Sequence, residues 1–204
     1  MTDPLEALDR LRAGNARFVA NELSLKIDGF ERSKLASGQQ PFAVILGCSD
    51  SRVPVEVVFD QGLGELFVIR VAGNIVAPSQ IGSIEFAAQS FGTQLVVVMG
   101  HTGCGAIEAT IDELQRPAEK QSRNIAAIVE RIRPSVVDLI ESGEGSTREE
   151  LMRNAVRANV RYSANALRHG SEIIEGLISS GELLIVGAKY SLQTGEVEFF
   201  DGTP

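Results

Sequence analysis

The sequence predicts an α/β fold: a mainly parallel four-stranded sheet flanked by helices, with an N-terminal helical arm and an antiparallel edge strand near the C-terminus. Two observations carry this. Four short runs, "FAVILG", "ELFVIR", "QLVVVMG" and "ELLIVGA", are apolar throughout and rich in branched residues, as strands covered on both faces must be. Segments with helical spacing separate them, and that alternation is the pattern of parallel strands joined by helical crossovers.

Taken in order, Asp3 is suited to cap a helix over residues 4–19, Pro4 fits its first turn, and Leu5, Leu8, Leu11 and Phe18 form an apolar stripe. This helix is expected to serve as an arm or a dimer contact. Ile81, Ile84, Ala88 and Phe91 repeat at helical spacing between the second and third strand runs, with Gly92 as the stop. Further helices are expected over 105–115, 122–141, 147–168 and 171–180. After the turn signal "QTG", the run "EVEFF" predicts the antiparallel edge strand.

With 204 residues and 44% apolar content the chain can bury a substantial core, so one domain is expected over 1–204, with the arm at 1–35 and an α/β core at 40–200. The net charge of -8, with acids and bases scattered, offers no basic stripe for nucleic acid or anionic lipid. No apolar run approaches the ~20 residues of a membrane span, and "MTDPLEALDR" has neither the basic head nor the apolar body of a secretory signal. Cytoplasmic residence is the expectation, and there the two cysteines stay reduced, available to a metal or to chemistry.

Both cysteines follow strand runs. Cys48 ends "FAVILGC", while His101 and Cys104 end "QLVVVMGHTGC", so two neighbouring parallel strands deliver a Cys and a His-x-x-Cys to one crevice beyond their carboxyl ends. Thiolate sulfur and imidazole nitrogen suit tetrahedral zinc, one ion per chain, and a Cys₂His set leaves a fourth position open, as a catalytic site requires. The chain holds no third cysteine to close that shell. A redox pair is disfavoured because there is no C-x-x-C, and "CSDSR" is too short for the amide cradle of a phosphatase-type cysteine. His169, in the polar stretch "ALRHGS", reads as a solvated residue at a helix end.

The pair "CSDSR" and "GHTGCG", some fifty residues apart, together with "GELFVIRVAGN" and "LLIVGAKY", strongly resembles the β-class carbonic anhydrases over roughly residues 5–200. The resemblance implies zinc held by Cys48, His101 and Cys104, an Asp50–Arg52 dyad, and reversible hydration of carbon dioxide to bicarbonate. It also implies a homodimer, often paired into tetramers, with the active cleft at the dimer interface. By the same likeness Phe67 and Phe86 are expected to line the substrate pocket, Val71 to complete its wall, Gln39 to bond substrate or bicarbonate, and Gly105 to bring a backbone N–H to the bound anion.

The chemistry is consistent with the residues themselves. Zinc lowers the pKa of bound water from ~15.7 toward ~7 and so supplies hydroxide for attack on carbon dioxide. Two thiolates cancel the ion's formal charge, which weakens it as a Lewis acid and shifts hydration to alkaline conditions. Asp50 is placed to accept the hydroxide's hydrogen bond. Arg52, paired with it, keeps the carboxylate ionised and off the metal, which Asp50 would occupy as fourth ligand only in a closed state. Some bacterial members of the family have a tryptophan three residues before the first zinc cysteine, forming a regulatory bicarbonate site with an arginine and a tyrosine. Ile45 stands there, so with Arg70 and Tyr190 alone the pocket is expected to be incomplete. Two other functions suit the same residues: hydrolysis of carbon disulfide or carbonyl sulfide, and a catalytically silent zinc or bicarbonate sensor. Retention of Asp50, Arg52 and Gln39 argues against silence.

Overall fold

The computed structural model describes residues 2–25, 33, 35–115, 122–143 and 147–204. Five strands, β1 (Ala43–Gly47), β2 (Leu66–Arg70), β3 (Leu95–His101), β4 (Leu184–Tyr190) and β5 (Val197–Asp201), form one sheet in the order β2-β1-β3-β4-β5. The first four are parallel, and β5 runs antiparallel to β4 along the edge, with an irregularity between Gly187 and Ala188.

The helices are α1 (Pro4–Val19), α2 (Val55–Val58), α3 (Pro78–Phe91), α4 (Gly105–Gln115), α5 (Arg123–Glu141), α6 (Arg148–Arg168) and α7 (Glu172–Ser179). The expected boundaries hold to within a residue or so. Asp3 caps α1 by accepting the N–H of Leu5 at 2.8 Å and of Glu6 at 3.3 Å, an arrangement worth about 1 kcal/mol. Thr147 and Glu150 form a reciprocal capping box at the start of α6, and Gly92 ends α3 in the left-handed conformation. The short α2 was not expected from the sequence, because four residues hold too little periodicity to register.

Period-two alternation sorts the sheet into two buried faces. On one, Ala43, Ile45, Leu95, Val97, Met99, Val186 and Ala188 pack against α1 and α2. On the other, Val44, Leu46, Val96, Val98 and Ile185 meet Ile84 and Ala87 of α3 and Val160, Ala164 and Leu167 of α6. Helix α6 lies so close that a Cβ on Gly100 would stand 2.7 Å from Val160 Cγ2. Leu8 and Leu11 of α1 are wholly buried, each contributing about 1.5–3 kcal/mol. Over Pro4–Val19 the segment expected as an arm therefore lies on the chain's own sheet, while 26–32 and 34 fall outside the described residues.

A third cluster sits beyond the carboxyl ends of β1 and β3. There Ile107 and Ile111 of α4, Ile132 and Val136 of α5, and Ala155 and Val156 of α6 surround Cys48 and Cys104. The chain leaves β1 toward β2 on one side, whereas β3 leads to β4 on the other. The crevice between them is the switch point at which open α/β sheets bind ligands.

Candidate metal centre

Cys48 is the first residue after β1, His101 is the last of β3, and Cys104 immediately precedes α4, so three rigid element ends position three donors. All three side chains are buried, and their ligand atoms lie within 4.8 Å of one another. The sulfurs of Cys48 and Cys104 are 4.0 Å apart, far beyond a disulfide bond. That separation is close to the ~3.8 Å edge expected for two ligands on a tetrahedral zinc with Zn–S bonds of ~2.3 Å.

The imidazole supplies an independent test of fit. Its Nδ1 lies 2.9 Å from the carbonyl oxygen of Thr102, which can only accept, so Nδ1 carries the hydrogen and Nε2 keeps its lone pair. Nε2 is buried and has no hydrogen-bond partner. A buried acceptor facing two thiols without a donor is costly unless a ligand completes it. The donor set is thus one that zinc fits.

The hydrogen bond between the Cys104 and Cys48 sulfurs lowers Cys48 to about 4 against the effect of burial, with the N–H groups of Gly73 and Asp50 acting in the same direction. Cys104 is pushed up by that pairing and by its own burial. A metal cation bound to both sulfurs would displace the thiol protons that remain.

Asp50 stands at the mouth of the site. Arg52 holds it through two parallel bonds, Nε to Oδ1 at 2.9 Å and Nη2 to Oδ2 at 2.6 Å, and Arg52's backbone N–H adds a third to Oδ1 at 3.0 Å. The Arg52 guanidinium keeps the Asp50 carboxyl well below the usual carboxylate range. The same Nη2 also donates to the carbonyl of Gly103 at 3.1 Å, tying the loop after β1 to the loop after β3.

The expected pocket residues divide into two groups. Val71 packs into the cluster around both cysteines, its N–H donating to Gly47 at 3.1 Å, and Gly105 opens α4 beside Cys104. Gln39, Phe67 and Phe86 are elsewhere. Phe67 pairs with Val44, four residues before Cys48 and so about 13 Å along the strand direction from it. Phe86, 53% exposed, meets Phe67 and, edge-on at 5.6 Å, Phe91. Gln39 shares a hollow with Leu35, Leu63 and Phe91. Within one chain these three flank the sheet away from the metal centre.

Two further residues near the site escaped the sequence reading. Gly73 donates its N–H to Cys48 Sγ at 3.4 Å, and Asn159 donates to the Gly73 carbonyl at 2.8 Å. The only hint of the first is a Gly-Asn pair that follows β2 without a hairpin partner. Arg70, considered for a regulatory pocket, donates instead to the carbonyls of Cys48 at 3.0 Å and Asp50 at 2.5 Å. Tyr190 is buried in the core at 6.4 Å from the Phe18 ring, and Ile45 is a fully buried residue of β1.

The sequence model of the family described as carbonic anhydrase matches residues 43–197, the stretch from β1 to the start of β5 that contains every donor above. A carbonic anhydrase of Mycolicibacterium smegmatis is 40% identical over 97% of this chain and 93% of its own length, and carbonic anhydrase 2 of Mycobacterium tuberculosis is 37% identical over 98% and 94%. Among solved structures, a β-carbonic anhydrase of Coccomyxa in complex with acetazolamide superimposes with a TM-score of 0.74 at 24% identity, covering 98% of this chain and 87% of that one. One of two tetrameric β-carbonic anhydrases from Sordaria macrospora gives 0.75 at 22%, covering 83% and 85%. Those two structural likenesses speak to the fold, and the sequence matches speak to descent: the chain belongs to the β-carbonic anhydrase family.

Proposed function

We propose that this chain, acting as a single domain over 1–204, catalyses the reversible hydration of carbon dioxide to bicarbonate and a proton, with one zinc ion held by Cys48, His101 and Cys104. The observation that carries the proposal is the buried, unpartnered Nε2 of His101 facing two thiols, with an ionised Asp50 held 3.8 Å from it. When bound, zinc supplies the Lewis acidity that lets water act as hydroxide near neutral pH.

The chain's own groups do the rest. His101 is fixed in one tautomer by Thr102, so it presents a lone pair without reorganisation. Asp50 accepts the hydrogen of the attacking oxygen and turns a lone pair toward the carbon of the substrate. Arg52 holds that carboxylate in place and ionised. Val71 supplies apolar wall for an apolar substrate, and the N–H of Gly105, at the positive end of α4, faces the charge that develops on the product.

Gln39, Phe67 and Phe86 complete the pocket only if a second copy brings them to it. The aromatic flank of Phe67, Phe86 and Phe91 supports a homodimer, and pairs of dimers would give a tetramer of the kind named for the Sordaria protein. Among the described residues no helix is long and apolar enough to cross a membrane. A reducing, cytoplasmic setting, which keeps both thiols available as ligands, is part of the proposal. Stopped-flow hydration of carbon dioxide by purified protein of measured zinc content tests the reading. Stoichiometric zinc without hydration would defeat it.

A further inference from the structure

We infer that Asn159 is a positioning residue for the metal centre, restraining Gly73 so that the Gly73 N–H stays hydrogen-bonded to the Cys48 sulfur. The inference rests on the zinc reading above and concerns a residue on α6, remote in sequence from every ligand. Asn159 is wholly buried, and its Nδ2 donates to the Gly73 carbonyl at 2.8 Å, while the Gly73 N–H donates to Cys48 Sγ at 3.4 Å. One residue thus links α6 to a ligand through its two backbone groups.

The link matters because the backbone there would otherwise relax. Gly73 has φ of 70° and Asn74, next in the chain, has φ of 43°, two consecutive left-handed residues in the turn that follows β2. A non-glycine residue held in that region stores strain and persists only where its surroundings over-determine it. Glycine at 73 is required on two counts, since an added Cβ would also stand 2.7 Å from Ile132 Cδ1 and 3.2 Å from Ala106 Cβ. Yet glycine's own torsions are soft. Packing against Ile132 restricts where the turn lies but does not set the direction of its N–H; the Asn159 bond fixes the following peptide plane and with it the torsions that aim the N–H at sulfur.

An N–H on a thiolate draws electron density from it. In a site with two thiolates this opposes their tendency to quench the metal, and it presents Cys48 in the orientation the metal needs. Replacing Asn159 by leucine keeps the branched shape of the side chain and removes the donor. Asn159→Leu is therefore expected to release zinc to a chelator about 10-fold faster than wild type or more, the range typical of lost outer-sphere partners. Its hydration profile should also move to higher pH, because a more electron-rich sulfur makes the metal less acidic.

The control is Val160→Ala, the neighbouring buried residue, which loses packing against the sheet and touches none of this chain of bonds. Zinc release and pH midpoint in that variant should match wild type even where its thermal stability falls. Should Asn159→Leu fail to fold, the cadmium-substituted wild-type protein decides: with an NMR-active cadmium isotope, the Gly73 amide proton should show scalar coupling to the metal through Cys48 sulfur. Loss of zinc and a pH shift in Asn159→Leu that Val160→Ala does not share, or that coupling, supports the inference. Asn159→Leu behaving like wild type or like Val160→Ala, or the absence of coupling at Gly73, overturns it. Failure of the zinc reading is distinguishable, because it appears as wild-type protein without stoichiometric zinc.

Discussion

Asp50 Oδ2 stands 3.8 Å from His101 Nε2, close enough to reach a metal at that nitrogen, yet both of its oxygens are held by Arg52. The carboxylate is therefore held beside the donor cluster, where it would stand next to the fourth position of a metal bound there. Because the third anchor of Arg52 is the Gly103 carbonyl, the restraint spans the segments after β1 and β3 that meet at the donor cluster.

Removing the guanidinium should free that carboxylate. In Arg52→Ala, Asp50 is expected to take the fourth position itself, so zinc content stays near one per chain while kcat/KM for hydration falls on the order of 10²-fold or more. Elemental analysis and stopped-flow rates on the same preparation check this. Full activity in the variant would show that Arg52 does not gate the site.

The ligand set makes a separate prediction. Cys104→Ser replaces a soft thiolate in a buried cluster with a hard alcohol that stays protonated, and zinc should be lost on dialysis. A variant that keeps a full zinc complement would remove Cys104 from the ligand set.

Most of the fold was legible because both periods are strong here: continuous apolar runs for the covered strands, and 3.6-residue spacing with a cap at Asp3 and a stop at Gly92 for the helices. The meeting of Cys48, His101 and Cys104 was legible because strand ends were. What sequence could not give is which surface an amphipathic stripe covers: α1 read as an arm or a dimer contact, and Leu8 and Leu11 pack on the chain's own sheet. Nor could it give the aim of a backbone N–H, which is why Gly73 and Asn159 went unnoticed, or the partner of an arginine with several carbonyls in reach, as at Arg70. Gln39, Phe67 and Phe86 are a different case. Their role depends on a second copy, whose position no single chain specifies.

That dependence can be tested at Phe86. It is half-exposed in a cluster with Phe67 and Phe91, so Phe86→Asp should disfavour apposition of two such flanks at little cost to the fold of one chain. Sedimentation is expected to show a shift toward monomer, with zinc retained and hydration reduced about 10-fold or more, as for loss of positioned pocket groups. An assembly unchanged in mass and activity would place the interface elsewhere.

The pH dependence follows from two opposite electrostatic settings in one site. Asp50 is held well below the usual carboxylate range by Arg52, so it is ionised throughout the neutral and alkaline range. The sign of the linkage is that of a depressed acid: stability from this pair is fully present above the unfolded value near 3.8 and is lost only as pH falls through the lower folded value. Asp50 should therefore contribute no limb to the activity profile above about pH 5. The water ionisation that zinc supports is set the other way, because two thiolates neutralise the ion's formal charge and weaken its pull on a proton. Hydration kcat/KM should accordingly climb from neutral into alkaline pH along a single-proton curve with its midpoint above the ~7 of sites with neutral ligands. With Ile45 buried in the core and Arg70 engaged by the Cys48 and Asp50 carbonyls, added bicarbonate in matched salt should not steepen that curve. Profiles recorded with and without bicarbonate decide the matter: a flat line from neutral to alkaline pH would refute the weakened Lewis acid, and a multi-proton rise displaced by bicarbonate would reveal a regulatory site built without the indole.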